Sequence, residues 1–168
     1  MRARLPSAAI TLGTHSASGG FSASIEEVKE QILKVEGQDG ITLSGGDPFF
    51  QVEGCLEIAQ FCKENSINVW CYTGYTFEKL LRMSKRNPNI LSLLQNINVL
   101  IDGKFIEKQK DLTLLFRGSK NQRVLDVKES LLLGRAVEIE KYKQKSLLSY
   151  GLERLSINKL GKVENMFI

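Results

Sequence analysis

Gly40-Ile41-Thr42-Leu43-Ser44-Gly45-Gly46-Asp47-Pro48 sets a short apolar run against two glycines, a carboxylate and a proline. A strand that ends this way exposes backbone where a small ligand can approach closely, because glycine leaves no side chain in the way. Asp47 offers a fixed acceptor for an ammonium or hydroxyl, and Pro48 stiffens the exit. One such cluster is an ordinary strand-to-helix turn. Two more follow it: Thr73-Gly74-Tyr75 closes the run Ile67 to Tyr72, and Asp102-Gly103-Lys104 closes Ile97 to Ile101.

The spacing predicts a helix over Ser24 to Val35, with Ser24 and Glu27 as a capping box and Ile25, Val28, Ile32 and Val35 on one face. Further helices are expected over Val52 to Glu64, over Phe77 to Lys85, and around Ile90 to Leu94 after Asn87-Pro88. Helix, strand, helix, strand, helix, strand is the order of a mostly parallel sheet covered by helices, an α/β fold. Ligands of such folds bind outside the carboxyl ends of the strands, where the three clusters converge. After Lys104 the pattern changes: Leu112 to Phe116 is apolar, Arg117 to Arg123 is polar, and Val124 to Val127 reads as a short strand. Arg117 is a candidate clamp for a carboxylate or phosphate, or else a solvated arginine on a turn.

Composition narrows the classes. The 168 residues are 42% hydrophobic and 25% charged with a net charge of +4, which fits one soluble domain. The basic residues are dispersed, with local concentrations at 82–86, 104–110 and 117–123, so nucleic-acid binding is not expected. No apolar run approaches the roughly 20 residues that span a bilayer, so no membrane association is expected either. Three cysteines, Cys55, Cys62 and Cys71, form no C-x-x-C pair and argue for a reducing cytoplasm. The single histidine, His15, has no partner nearby and is assigned no catalytic role. Residues 1–20 hold two arginines and no acid, a composition loosely like a transit peptide. The organisation expected is an aberrant or disordered stretch over 1–20, an α/β domain over 21–142, and a peripheral tail over 143–168.

Four segments in order, 40–49, 69–75, 98–105 and 116–123, together resemble the activating proteins of anaerobic ribonucleotide reductase, small radical S-adenosylmethionine enzymes. The resemblance spans roughly Gly19 to Tyr142. It implies a partial (βα) barrel of the radical S-adenosylmethionine type. It also implies a [4Fe-4S] cluster that cleaves S-adenosylmethionine reductively, so that a 5′-deoxyadenosyl radical takes a hydrogen from a glycine of the reductase. The implied partners are the reductase large subunit and an electron donor such as flavodoxin or ferredoxin. By the same resemblance Ser44, Gly45, Gly46, Asp47 and Pro48 hold the methionine moiety, and Thr73, Gly74, Asp102 and Gly103 line the same end. Arg117, Ser119, Asn121 and Gln122 match a late motif whose task the residues do not assign.

One part of the pattern is absent. The family holds its cluster on C-x3-C-x2-C after the first strand, and the corresponding stretch here, Arg4 to His15, has no cysteine. Cys55, Cys62 and Cys71 lie on the wrong elements to replace it. With the third base of each codon from Ser7 to Thr11 joined to the next two bases, the triplets can encode Gly-Cys-His-Asn-Pro, the end of that loop. The expectation is out-of-frame translation from Met1 to about Leu12, with the first strand missing or altered; a truly diverged N-terminus is the alternative. The functional alternatives are an activase in damaged form, a cluster-free module binding S-adenosylmethionine, a nucleotide or the reductase, and a product without function.

Overall fold

The computed structural model describes residues 3–5 and 21–143. Strand β1 (Ala3–Leu5) pairs antiparallel with β2 (Phe21–Ala23). The remaining elements are α1 (Ile25–Lys34), β3 (Gly40–Leu43), α2 (Val52–Glu64), β4 (Asn68–Tyr72), α3 (Phe77–Ser84), α4 (Pro88–Leu94), β5 (Val99–Asp102), β6 (Arg123–Asp126), α5 (Val127–Leu133) and α6 (Glu140–Lys143). The proposed out-of-frame stretch, apart from residues 3–5, together with His15 and the tail from residue 144, lies outside the described residues.

The mixed α/β architecture expected from the strand and helix order is present. One sheet runs β3-β4-β5-β6; β3 and β5 both pair parallel with β4, and β6 pairs antiparallel with β5. The change of direction has a simple cause. Parallel neighbours need a crossover, which α2 supplies between β3 and β4, and α3 with α4 between β4 and β5. No such helix separates β5 from β6, so the chain turns back on itself. The apolar run Leu112 to Phe116 forms no strand; its Leu115 is buried under the sheet instead.

Alternation along the strands assigns the two faces. Leu43, Val69, Cys71, Leu100 and Leu125 face the main core with Ile25, Ile58, Phe77, Leu80 and Leu93 from α1 to α4. Val99, Ile101 and Val124 face the other side, where they are buried with Leu115 and Tyr142 and where Trp70, Tyr72 and Ile139 pack against them, the Phe116 ring meeting Trp70 and Tyr142 edge to face. Between Trp70, Tyr72, Phe116 and the exposed Thr42 this side opens into a cleft of about 400 Å3. The two sheet edges also differ. The β6 edge is met by residues 137–139, through Asp126 N–H to Val137 O (3.0 Å) and Ile139 N–H to Val124 O (2.9 Å), whereas β3 has a neighbour on one side only among the described residues.

Local signals explain the helix ends. Ser24 accepts from Glu27 N–H (3.2 Å) while Glu27 accepts from Ser24 N–H (2.6 Å), the capping box expected from the sequence. Thr76, Asn87 and Asp126 cap α3, α4 and α5 through their side chains.

Close approach of β3 to β4 requires Gly40. A Cβ there would meet the carbonyl oxygen of Asn68 and stand 2.9 Å from its Cβ. Gly40→Ala is expected to lower the unfolding free energy by about 1–3 kcal/mol through this overpacking. Urea denaturation checks it, and an unchanged midpoint would show that the strands separate freely.

Candidate functional site

The loops that follow β3, β4 and β5 meet at one end of the sheet. Asp47 is the joint between the first two. Its Oδ1 accepts from Phe49 N–H at 3.0 Å, starting the single helical turn Pro48–Phe50. Thr73 Oγ1 lies 3.0 and 2.9 Å from its two oxygens, and Gly74 N–H donates to Oδ2 at 2.9 Å. Thr73 has one hydroxyl proton, so the carboxylate receives three hydrogen bonds and keeps one of its roughly four acceptor positions open. The preceding loop is half open to solvent: Gly45 and Gly46 are exposed, Ser44 and Asp47 are half-buried, and Gly45 has φ of 99°, a conformation that glycine adopts without strain.

The third loop is fixed by a second carboxylate. Asp102, fully buried at the end of β5, accepts from Phe77 N–H at 2.8 Å and so holds the first residue of α3. Arg123 of β6 donates Nε–H to Asp102 Oδ1 at 2.9 Å and a second N–H to Oδ2, then reaches Glu78 with two bonds of 3.1 and 2.9 Å. Hydrogen bonding to Arg123 holds the Glu78 carboxyl below its usual range, and its two carboxylate partners raise the guanidinium's pKa further. Gly103, at φ of 95°, donates N–H to Tyr75 O at 2.9 Å. The turn from Thr73 to Phe77 is therefore held at its start by Asp47 and at its end by Asp102.

Of the residues singled out in the sequence, the structure brings Asp47, Thr73 and Gly74 into direct contact and sets Asp102 and Gly103 beside the same turn. Arg117 is elsewhere. Its side chain is 6% exposed and donates to the carbonyls of Gln122 (3.2 Å), Tyr142 (3.2 Å) and Lys143 (2.8 Å), tying α6 to the loop. Ser119, Asn121 and Gln122 form bonds within the 103–122 segment, such as Gln122 side-chain N–H to Gly103 O (3.1 Å) and Asn121 to Lys104 O (2.8 Å). Glu78 and Arg123 carried no chemical assignment in the sequence, and no local spacing signals their bond, since they stand 45 residues apart.

The thiols do not match a cluster. Cys55, Cys62 and Cys71 are buried on α2 and β4. Burial pushes Cys55 up to about 11, with the Asp47 charge adding to it, and pushes Cys62 up to about 11. Cys71 is raised by burial first, then by Cys55 and Asp47. Iron–sulfur clusters need thiolates. Among the described residues no group of three or more His, Cys, Asp or Glu side chains could hold a metal ion. The whole sequence has no cysteine beyond these three, so the residues present do not fit a [4Fe-4S] cluster.

The comparisons place the chain in an iron–sulfur class all the same. Residues 12–125 match the 4Fe-4S single cluster domain family. The activating protein of anaerobic ribonucleoside-triphosphate reductase from Haemophilus influenzae is 38% identical over 117 residues, 62% of this chain and 72% of that protein. The proteins of the same name from Escherichia coli K12 and Vibrio cholerae are 37% and 36% identical over 52% and 58% of this chain. The matches cover 55% and 60% of those two relatives, so the chain spans little more than half their length. No solved structure matches the chain. The chain belongs to the family of anaerobic ribonucleoside-triphosphate reductase-activating proteins. No helix among the described residues is long and apolar enough to cross a membrane.

Arg123→Met leaves Asp102 buried with its charge uncompensated and should cost about 3 kcal/mol of stability, most of it restored by adding Asp102→Asn. Urea titrations of the single and double variants read this out, and equal costs for both would contradict it. The three thiols should also resist iodoacetamide at pH 8 while the chain is folded. Because their folded pKa values lie above the unfolded ones, their contribution to stability is intact below about pH 8.5 and falls as pH rises toward 11. Rapid alkylation of folded protein would show that they are accessible.

Proposed function

We propose that this chain serves the activation of an anaerobic ribonucleotide reductase, as its relatives' names state of them, and that its part is to hold S-adenosylmethionine at the strand ends. The observation that carries this is the open Ser44–Gly46 loop beside a carboxylate fixed by Thr73 and Gly74. A braced carboxylate with one free acceptor position, next to exposed glycine carbonyls, suits the methionine ammonium. Bound there, S-adenosylmethionine supplies the 5′-deoxyadenosyl group from which a glycyl radical on the reductase originates in this family. The four-stranded sheet, helices on one face and a cleft on the other, supports an arc of a (βα) barrel of the radical S-adenosylmethionine type. Cytoplasmic location and an electron donor of the flavodoxin or ferredoxin kind belong to the same proposal.

The reductive step needs a cluster that these residues do not fit, so no step of it is assigned to this chain. That mismatch favours a second reading: a module that binds S-adenosylmethionine, a nucleotide or the reductase without radical chemistry. Iron measured after anaerobic reconstitution separates the two. About four irons per chain would restore the activase reading for this chain as it stands, and a value near zero is expected.

Asp47→Ala removes the ammonium acceptor and should weaken S-adenosylmethionine binding by about 10- to 100-fold, equivalent to roughly 1.5–3 kcal/mol for a charged hydrogen bond. Calorimetric titration of the unaltered chain and the variant measures it. Equal affinity would remove Asp47 from the binding site.

A further inference from the structure

The face of the sheet opposite α1 to α4 carries aromatic rings that the described residues leave partly uncovered. Its cleft of about 400 Å3 is walled by Trp70, Tyr72 and Phe116 and edged by Gly40, Thr42 and Asn68. Gly40 and Asn68 begin β3 and β4, so the cleft reaches toward the amino ends of these strands, whereas the Ser44–Asp47 loop follows β3 at its other end. Phe116 is 40% exposed, Trp70 and Tyr72 are half-buried, and Thr42 is exposed. Rings grouped in this way gain free energy when an apolar segment covers them.

The chain passes out of the described residues beside this cleft. Tyr142, the next-to-last of them, sets its ring 5.0 Å from that of Phe116 and 6.0 Å from that of Trp70. Arg117, adjacent to Phe116, fixes the exit by donating to the carbonyls of Tyr142 and Lys143. Its Nε–H is buried and has no acceptor among the described residues. A buried donor calls for an acceptor, and the segment that continues from Lys143 starts at this guanidinium. Gln144, Lys145 and Ser146 lead there to Leu147, Leu148 and Tyr150. Three extended residues span about 10 Å, enough to pass from α6 toward β3, because adjacent strands lie only about 4.8 Å apart. The other long stretch outside the described residues, 6–20, holds only Ile10 and Leu12 as large apolar side chains.

We propose that residues 147–150 of this chain's own tail close the cleft, with Leu147 and Leu148 against the Trp70 and Phe116 rings and Arg117 as the clamp at the tail's base. The cover is separate from the loop assigned to S-adenosylmethionine and does not depend on that assignment. It gives Arg117 a task within the chain: its guanidinium sets the direction in which the tail leaves α6.

Trp70 is the only tryptophan of the chain, so its fluorescence reports on the cleft alone. The full chain is compared with Leu147→Ser combined with Leu148→Ser, and with Leu160→Ser combined with Val163→Ser further along the tail. Circular dichroism and the thermal midpoint establish that each variant is folded, and Leu148→Ser alone replaces the first pair if that pair does not fold. Acrylamide should quench Trp70 about twofold or more faster in the 147/148 variant than in the unaltered chain, with the emission moved to the red. The 160/163 variant should behave as the unaltered chain does. Equal quenching in the unaltered chain and the 147/148 variant overturns the tail as the cover, and so does an equal rise in the 160/163 variant. Protection of Trp70 that disappears on dilution, in step with a halving of the mass in light scattering, assigns the cover to a second copy and overturns it as well.

Discussion

The Asp47 carboxylate is the constraint on which this end of the molecule depends. Parallel strands are connected through distant helices, so nothing in the sheet itself fixes one strand-end loop against the next. A single carboxylate accepting from Phe49, Thr73 and Gly74 supplies that link across 26 and 27 residues of sequence. It also leaves the Gly45-Gly46 backbone exposed rather than folded onto its neighbour. Asp102 repeats the device one strand further on, with Arg123 neutralising a charge that burial would otherwise make costly. Carboxylates thus tie these loops to one another, Phe49 and Tyr75 anchor them on the core, and the Gly45-Gly46 stretch stays exposed.

The two faces of the sheet divide the remaining work. One is closed by α1 to α4 over a continuous apolar core, and most of the stabilising burial lies there. The other is covered in part by Leu115, Phe116 and Tyr142, and the rings of Phe116 and Tyr142 pack edge to face with Trp70 and with each other. Phe116 adopts φ of 58°, unfavourable for a bulky residue, and Tyr72 O–H to Phe116 O at 2.7 Å holds it there. Arg117, the next residue, ties the same loop to α6.

Much of the fold was legible in the sequence because its signals are local. The Ser24–Glu27 capping box, the apolar stripe of α2 and the short runs ending in glycine read directly as helix starts, faces and strand ends. The antiparallel return of β6 and the cover given by Leu115 were not legible, because each depends on where distant strands have already packed. The site divides in the same way. Asp47, Thr73 and Gly74 stand out as residue types at strand ends, yet their mutual bonds carry no spacing rule. Asp102 reads as a polar strand end that a ligand could use; in the structure it is a buried cap for α3, its partner Arg123 is 21 residues after it, and Glu78, which Arg123 also bonds, is 24 before it. The missing cluster ligands were the plainest sequence signal of all, since only cysteine supplies the thiolates.

Asp47 and Thr73 act as one unit in joining the ends of β3 and β4. A double-mutant cycle with Asp47→Ala and Thr73→Val, read as unfolding free energy in urea, tests it most directly. A coupling energy of about 1 kcal/mol or more is expected for a hydrogen bond to a charged group. Costs that add to within about 0.3 kcal/mol would contradict it, and the two loops would then be held independently.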